Sequence, residues 1–147
     1  MTRAPAPITG HCLCGAVAIT VAKHDGFTGA CHCRMCQRWS GGLFISFNAP
    51  ATAVTVTGQV ARHQSSTFAE RAFCPACGSH LWVRNTDMAD APYDLMPGLF
   101  DAARDVPLKS EIYTDRALPG LALAGDHRRA TRAEYEVKNA HLEGDMP

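Results

Sequence analysis

All seven cysteines of this 147-residue chain fall in three tight clusters: Cys12-Leu13-Cys14, Cys31-His32-Cys33-Arg34-Met35-Cys36 and Cys74-Pro75-Ala76-Cys77. This is the pattern of a metal protein. Thiolates two or three residues apart can chelate one soft cation with Zn–S bonds of roughly 2.3 Å, whereas such near neighbours rarely meet disulfide geometry with each other. The odd count would also leave a disulfide framework one thiol over. Met1 is followed by Thr2, Arg3, Ala4, Pro5, Ala6 and Pro7, with no apolar run long enough for the core of a signal peptide, so a cytoplasmic location is expected. In a reducing compartment clustered cysteines read as metal ligands or catalytic thiols before they read as bridges.

The length suits one domain over 1–147, expected to have its core at about 8–114 and a C-terminal extension at 115–147. Fourteen basic and fourteen acidic side chains cancel, and apart from Arg128-Arg129-Ala130-Thr131-Arg132 the cations are scattered. Nucleic-acid binding relies on a basic face that neutralises phosphates, so a nucleic-acid partner is not expected. No apolar stretch approaches the roughly 20 residues of a membrane span, so no membrane partner is expected either.

From Ile8 to about Val83 short β-branched and aromatic segments alternate with glycine, proline and asparagine, which reads as all-β. Strands are expected at Ala16–Val21, Phe27–Ala30, Leu43–Phe47, Val54–Thr57, Ala61–Ser65, Arg71–Phe73 and His80–Arg84. Turn signals such as Asp25-Gly26, Gly41-Gly42 and Thr57-Gly58 separate them. The cysteine clusters fall at strand ends and turns, and Gly78 directly after Cys77 permits a left-handed turn there. After Tyr93 the chain is broken by Pro97-Gly98, Pro107 and Pro119-Gly120, with one more strand expected at Glu111–Tyr113. Either a short C-terminal helix over Arg128–His141 or a tail leaving the fold near Gly125 fits the remainder.

Seven thiolates exceed one tetrahedral site and fall one short of two closed four-cysteine sites, which suggests four plus three. The central cluster can supply three ligands alone, leaving Cys12, Cys14, Cys74 and Cys77 for a closed structural site. Four protein ligands close a site, and three leave one position for chemistry. The closed site would staple the first strands to a much later hairpin, with zinc contributing on the order of 10–16 kcal/mol to folding.

Gly10-His11-Cys12-Leu13-Cys14-Gly15-Ala16-Val17, Cys31-His32-Cys33-Arg34-Met35-Cys36-Gln37-Arg38 and Arg71-Ala72-Phe73-Cys74-Pro75-Ala76-Cys77-Gly78-Ser79-His80-Leu81 resemble, in this order, the motifs of the glutathione-dependent formaldehyde-activating enzyme family, also called the GFA or CENP-V family. The resemblance spans about Ile8 to Val83, with a looser likeness around Ile112, and the segment from Asp115 onward matches none of its motifs. It implies an all-β, Mss4-like fold with two zinc ions per chain. It also implies a structural zinc at Cys12, Cys14, Cys74 and Cys77, and a catalytic zinc at Cys31, Cys33 and Cys36. The activity implied is that of a carbon-sulfur lyase resembling S-(hydroxymethyl)glutathione synthase.

Zinc bound by three thiolates carries a net charge of about −1, which makes it a weak generator of hydroxide and better suited to take up another thiol. The expected reaction is reversible addition of a small thiol, glutathione or similar, to formaldehyde or another small aldehyde. Arg34 and Arg38 flank the site and could pair with a carboxylate, although solvated surface arginines are the more natural reading there. His32 is a candidate fourth ligand or proton shuttle, but in extended backbone its side chain points away from those of Cys31 and Cys33. His80 reads as a packing or supporting residue, and Trp39 and Trp82 as core. Rival readings are a non-catalytic zinc-stabilised binding module, a redox dithiol at Cys74 and Cys77, and a nucleic-acid-binding zinc ribbon. The last lacks a basic face, and the redox reading lacks a βαβ pattern.

Overall fold

A computed structural model describes residues 6–142. The chain forms two compact units: one holds the residues up to Phe27 together with Ser46–Val106, the other Thr28–Ile45 together with the residues from Pro107. Strands dominate the first, and the second combines short strands with short helices.

In the first unit, β1 (Ile8–His11), β2 (Ala18–Val21) and β5 (Val54–Thr57) form a three-stranded antiparallel sheet with β2 at its centre. β4 (Phe44–Ala49), which belongs to this unit from Ser46 onward, β9 (Tyr93–Leu95), β8 (His80–Asn85), β7 (Ala69–Phe73) and β6 (Ala61–Gln64) pair antiparallel in that spatial order. The alternation in β2 buries Ile19 and Val21 and leaves Thr20 in solvent, the period of two that a sheet with one wet face imposes. Val17, Ile19, Val21, Phe47, Leu81, Trp82, Leu95 and Phe100 form one buried cluster, each contributing about 1.5–3 kcal/mol by leaving water. Phe47 and Phe100 meet edge to face at 5.3 Å, as do Trp82 and Tyr93 at 5.1 Å.

In the second unit, β3 (Thr28–Cys31) pairs parallel with β10 (Leu108–Ile112), and β10 pairs parallel with β11 (Arg128–Ala130). Two short helices join them, α1 (Arg34–Ser40) and α2 (Arg132–Val137). Glycine at position 41, φ 82°, ends α1 in the left-handed conformation typical after a helix.

The expected strands are all found, Val54–Thr57 exactly as bounded and the others shifted by one to three residues at an end. Two strands at Ile8–His11 and Tyr93–Leu95 and the helix α1 add to the expectation. The C-terminal element differs: Arg128–Ala130 is a strand, and the helix starts only at Arg132. Arg128–Ala130 lies in register with Ser110–Ile112, so its amides are committed to the sheet. The helix begins where Thr131 accepts from the Glu134 amide while the Glu134 carboxylate accepts from the Thr131 amide, a complete capping box. The alternative of a tail leaving the fold near Gly125 is not what forms.

Candidate metal centres

Two groups of thiols converge, one in each unit. In the first unit the sulfurs of Cys12, Cys14, Cys74 and Cys77 all lie within 4.8 Å of one another, although the two pairs are some 60 residues apart in sequence. Cys12 and Cys14 Sγ are 3.6 Å apart and Cys14 and Cys74 Sγ 3.8 Å, far longer than a disulfide bond of about 2.05 Å. All seven cysteines are free thiols.

Two tight turns build this site. After β1, the Gly15 amide bonds back to the Cys12 carbonyl, and the amides of Ala16 and Val17 point at the sulfurs of Cys14 and Cys12. After β7, the Gly78 amide bonds back to the Cys74 carbonyl at 2.8 Å with φ 76° at Gly78, the left-handed turn that its lack of a Cβ permits. Ser79 ties the turns together, since its hydroxyl accepts from the Leu13 amide at 3.0 Å and touches Cys77 Sγ at 3.2 Å. That hydroxyl, helped by the Ser79 amide, holds the Cys77 thiol down at about 5. Cys14 goes the other way: the Ala16 amide favours its thiolate, but Cys12, burial, Cys77 and Cys74 outweigh it and push the thiol up to about 11. Four thiolates this close cannot all be charged without a cation between them, so the cluster fits a metal ion by its own electrostatics.

In the second unit Cys31 ends β3, Cys33 caps α1 and Cys36 lies in its first turn. Their three sulfurs also lie within 4.8 Å of one another. Cys33 Sγ accepts from the Cys36 amide at 3.4 Å, the bond a serine or threonine cap would make, so the ligand spacing and the helix start are one structural feature. Cys33 and then Cys36 raise the Cys31 thiol well above its ordinary value, the same like-charge conflict as in the first cluster. Both donor sets are all sulfur, the kind that selects soft ions such as zinc. Among the described residues no histidine, carboxylate or further cysteine joins the three thiols.

His32 turns away from these thiols, as the alternation of extended backbone requires. It is fully buried, and its Nε2 lies 2.7 Å from Glu111 Oε1. Glu111 Oε2 lies 2.7 Å from His127 Nε2 and 3.4 Å from Arg129 Nε. Burial alone would raise the Glu111 carboxyl, but the hydrogen bonds of His127 and His32 hold it below its ordinary value. The backbone of His32 is pinned as well, its amide to the Ile112 carbonyl at 3.1 Å and its carbonyl to Gln37 Nε2 at 3.0 Å. The stretch between Cys31 and Cys33 is therefore fixed from both sides.

Sequence reasoning did not find Glu111, His127 or Tyr113, since no spacing links residue 32 to residues 111 and 127. Tyr113 is buried in a left-handed conformation, packs against Tyr135 with the rings tilted at 58° and their centroids 5.6 Å apart, and donates from its hydroxyl to Glu136 Oε1 at 3.2 Å. Burial first, then Glu136 and the nearby Cys33 and Cys31, push its hydroxyl far above the usual tyrosine value, so it stays neutral beside the thiols. Arg34 and Arg38 are exposed on α1. His80 is half-buried on β8, Trp82 is core, and Trp39 packs near Phe44 at 6.3 Å.

The sequence profile of the glutathione-dependent formaldehyde-activating enzyme family matches residues 7–116. An uncharacterized lyase of Schizosaccharomyces pombe is 29% identical over 107 residues, covering 72% of this chain and 77% of its own. A candidate glutathione-dependent formaldehyde-activating enzyme of Halomonas elongata is 33% identical over 86 residues, covering 52% of this chain and 55% of its own. The crystal structure of a Rhodobacter sphaeroides protein superposes with a TM-score of 0.56 at 25% identity, over 69% of this chain and all of the other. The profile match covers well over half of the sequence, and this chain belongs to the glutathione-dependent formaldehyde-activating enzyme family.

Proposed function

We infer that this protein is a zinc-dependent carbon-sulfur lyase of the cytoplasm that promotes the reversible addition of a small thiol, glutathione or similar, to formaldehyde or another small aldehyde. Cys31, Cys33 and Cys36 would hold the zinc at which reaction occurs, and Cys12, Cys14, Cys74 and Cys77 a second, structural zinc. The observation that carries the reading is the three-thiol cluster itself, which no fourth side-chain ligand joins among the described residues. A zinc ion held by Cys31, Cys33 and Cys36 would leave one position open and would supply there the acidity that favours a thiolate over a thiol.

The balance of the reaction is simple. The thiol sulfur forms a bond to the aldehyde carbon, the carbonyl π bond breaks, and the thiol proton ends on the new hydroxyl. No oxidant or reductant is needed. The chain's part is to hold geometry and limit charge. The Cys36 amide orients Cys33, while Glu111 and Gln37 fix the residue between Cys31 and Cys33. Tyr113 keeps its proton and so adds no further anion near the thiolates.

The test is exchange spectroscopy on glutathione and formaldehyde at equilibrium, with the wild-type protein and Cys36→Ser. Acceleration by the wild type and not by the variant is expected. Equal exchange rates with and without wild-type protein would leave a zinc-stabilised binding module as the better reading.

A further inference from the structure

The sheet face that carries Cys31 also carries a pocket of about 220 Å³. Ile112 is in register with both Cys31 and Ala130, and Ser110 with both Gly29 and Arg128. Partners in register share a face and successive residues alternate, so Cys31, Ile112, Ala130, Ser110 and Arg128 look one way and Glu111 and Arg129 the other. The contact between Glu111 and Arg129 on the opposite face agrees with this. α2 and the residues after it complete the wall with Glu134, Tyr135, Lys138 and Asn139; Glu111 also borders the pocket, but both its carboxylate oxygens are engaged by His32 and His127.

The polar groups around this pocket are unevenly used. Arg129 and Arg132 are paired with Glu111 and Glu136, whereas the side chains of Arg128 and Lys138 have no partner among the described residues. Glu134 spends Oε2 on the helix cap, which leaves Oε1 for another donor. A Cβ at Gly29, the strand partner of Ser110, would lie 2.9 Å from Ser110 Oγ, so the glycine leaves that hydroxyl its place.

We propose that this pocket holds the α-amino-acid end of the thiol substrate, its carboxylate on Arg128 and Lys138 and its ammonium on Glu134. Identifying the ligand as the thiol substrate rests on the function proposed above. Two cations that can share one carboxylate, with an anion beside them for an ammonium, match a zwitterion better than they match an uncharged group. At 220 Å³ the space is below the roughly 300–1,000 Å³ of sites for drug-sized ligands and fits a fragment of amino-acid size rather than a whole tripeptide. Ile112 lines the pocket and is one strand from Cys31, about 4.8 Å away in the pairing direction, so the sulfur of a ligand anchored here can extend toward the thiols. Arg128, Glu134 and Lys138 all lie beyond the residues the family profile matches, so this selectivity belongs to this chain's own C-terminal segment.

The test uses the metal-loaded full chain and S-methylglutathione, whose blocked sulfur cannot enter the metal's open position. Binding is followed by calorimetry and by amide shifts. The expected result is saturable binding with shifts at Ser110, Tyr135 and Asn139, weakened about tenfold or more in Arg128→Ala/Lys138→Ala and unchanged in Arg104→Ala, with S-methylcysteamine not binding. In turnover the double variant should raise KM for glutathione and leave kcat and the KM for 2-mercaptoethanol within about twofold. No binding to the wild type, or equal binding to the double variant, overturns the proposal. Binding that the double variant loses, in a protein that does not accelerate thiol addition, supports the pocket's assignment and refutes the enzymatic reading instead.

Discussion

At the scale of single residues, the two thiol clusters differ in what surrounds them. Ser79 binds both turns of the four-cysteine cluster, while Glu111 braces the three-cysteine loop from behind through a buried histidine on each oxygen. Glu111→Ala would leave His32 and His127 without their acceptor inside the protein, at a cost of about 1–3 kcal/mol, which denaturant unfolding would read. Glu111→Gln should recover part of this loss, and an alanine variant as stable as wild type would remove Glu111 from the account. Cys36→Ser should lower bound zinc by about one ion per chain and leave the other ion in place, as metal analysis after dialysis would show. Loss of both ions from that variant would mean that the clusters are not separate sites. The orientation of His32 was legible in the sequence, because alternation along a strand places its side chain opposite those of Cys31 and Cys33. Its partners were not, since residues 111 and 127 reach it only through parallel strand pairing and the loop before β11.

At the scale of elements, most strands could be read because alternating apolar residues between glycine and proline turns leave little choice of period. β1 and β9 were missed because four or three residues containing Gly10 or Asp94 carry too few apolar positions to show one. α1 was missed for a different reason: Cys33 acts as its cap, so a metal-binding spacing and a helix start share the same residues. The start of α2 was written in the sequence as Thr131-x-x-Glu134. Thr131→Ala removes that cap and should cost α2 about 1 kcal/mol, seen as faster amide exchange over 132–137. On β9, burial first, and then Asp25, raise the Asp94 carboxyl to about 6 despite its hydrogen bond from Asn48 Nδ2. A carboxyl raised in the folded state binds its proton more tightly there than in the unfolded chain. Its effect on stability is therefore most favourable below the unfolded value near 4 and declines as pH rises to about 6. Asp94→Asn keeps the acceptor and removes the charge, so it should stabilise the protein at pH 7 by on the order of 1 kcal/mol and flatten stability between pH 4 and 6. A variant with an unchanged pH profile would show that Asp94 is not the group responsible.

At the scale of the whole molecule, each compact unit contains one thiol cluster, and the division into four and three was legible because spacing left few other ways to group seven cysteines. The C-terminal segment was the least legible: its strand is three residues long and two of them are arginines, so only pairing with β10 makes it a strand. Metal and folding should be coupled most strongly in the unit whose distant turns meet at Cys12, Cys14, Cys74 and Cys77. Trp82 lies in the core of that unit, so in Trp39→Phe protein a strong chelator should shift the remaining tryptophan emission to the red. Unshifted emission after complete metal removal would show a core that stands without the ion. The central claim is an open three-thiolate zinc site, and X-ray absorption at the zinc edge, before and after glutathione, addresses it most directly. Two zinc ions per chain with an average of about 3.5 sulfurs each, rising toward about 4 when the thiol is added, is the predicted result. A single zinc ion, or two whose spectra ignore the thiol, would contradict it.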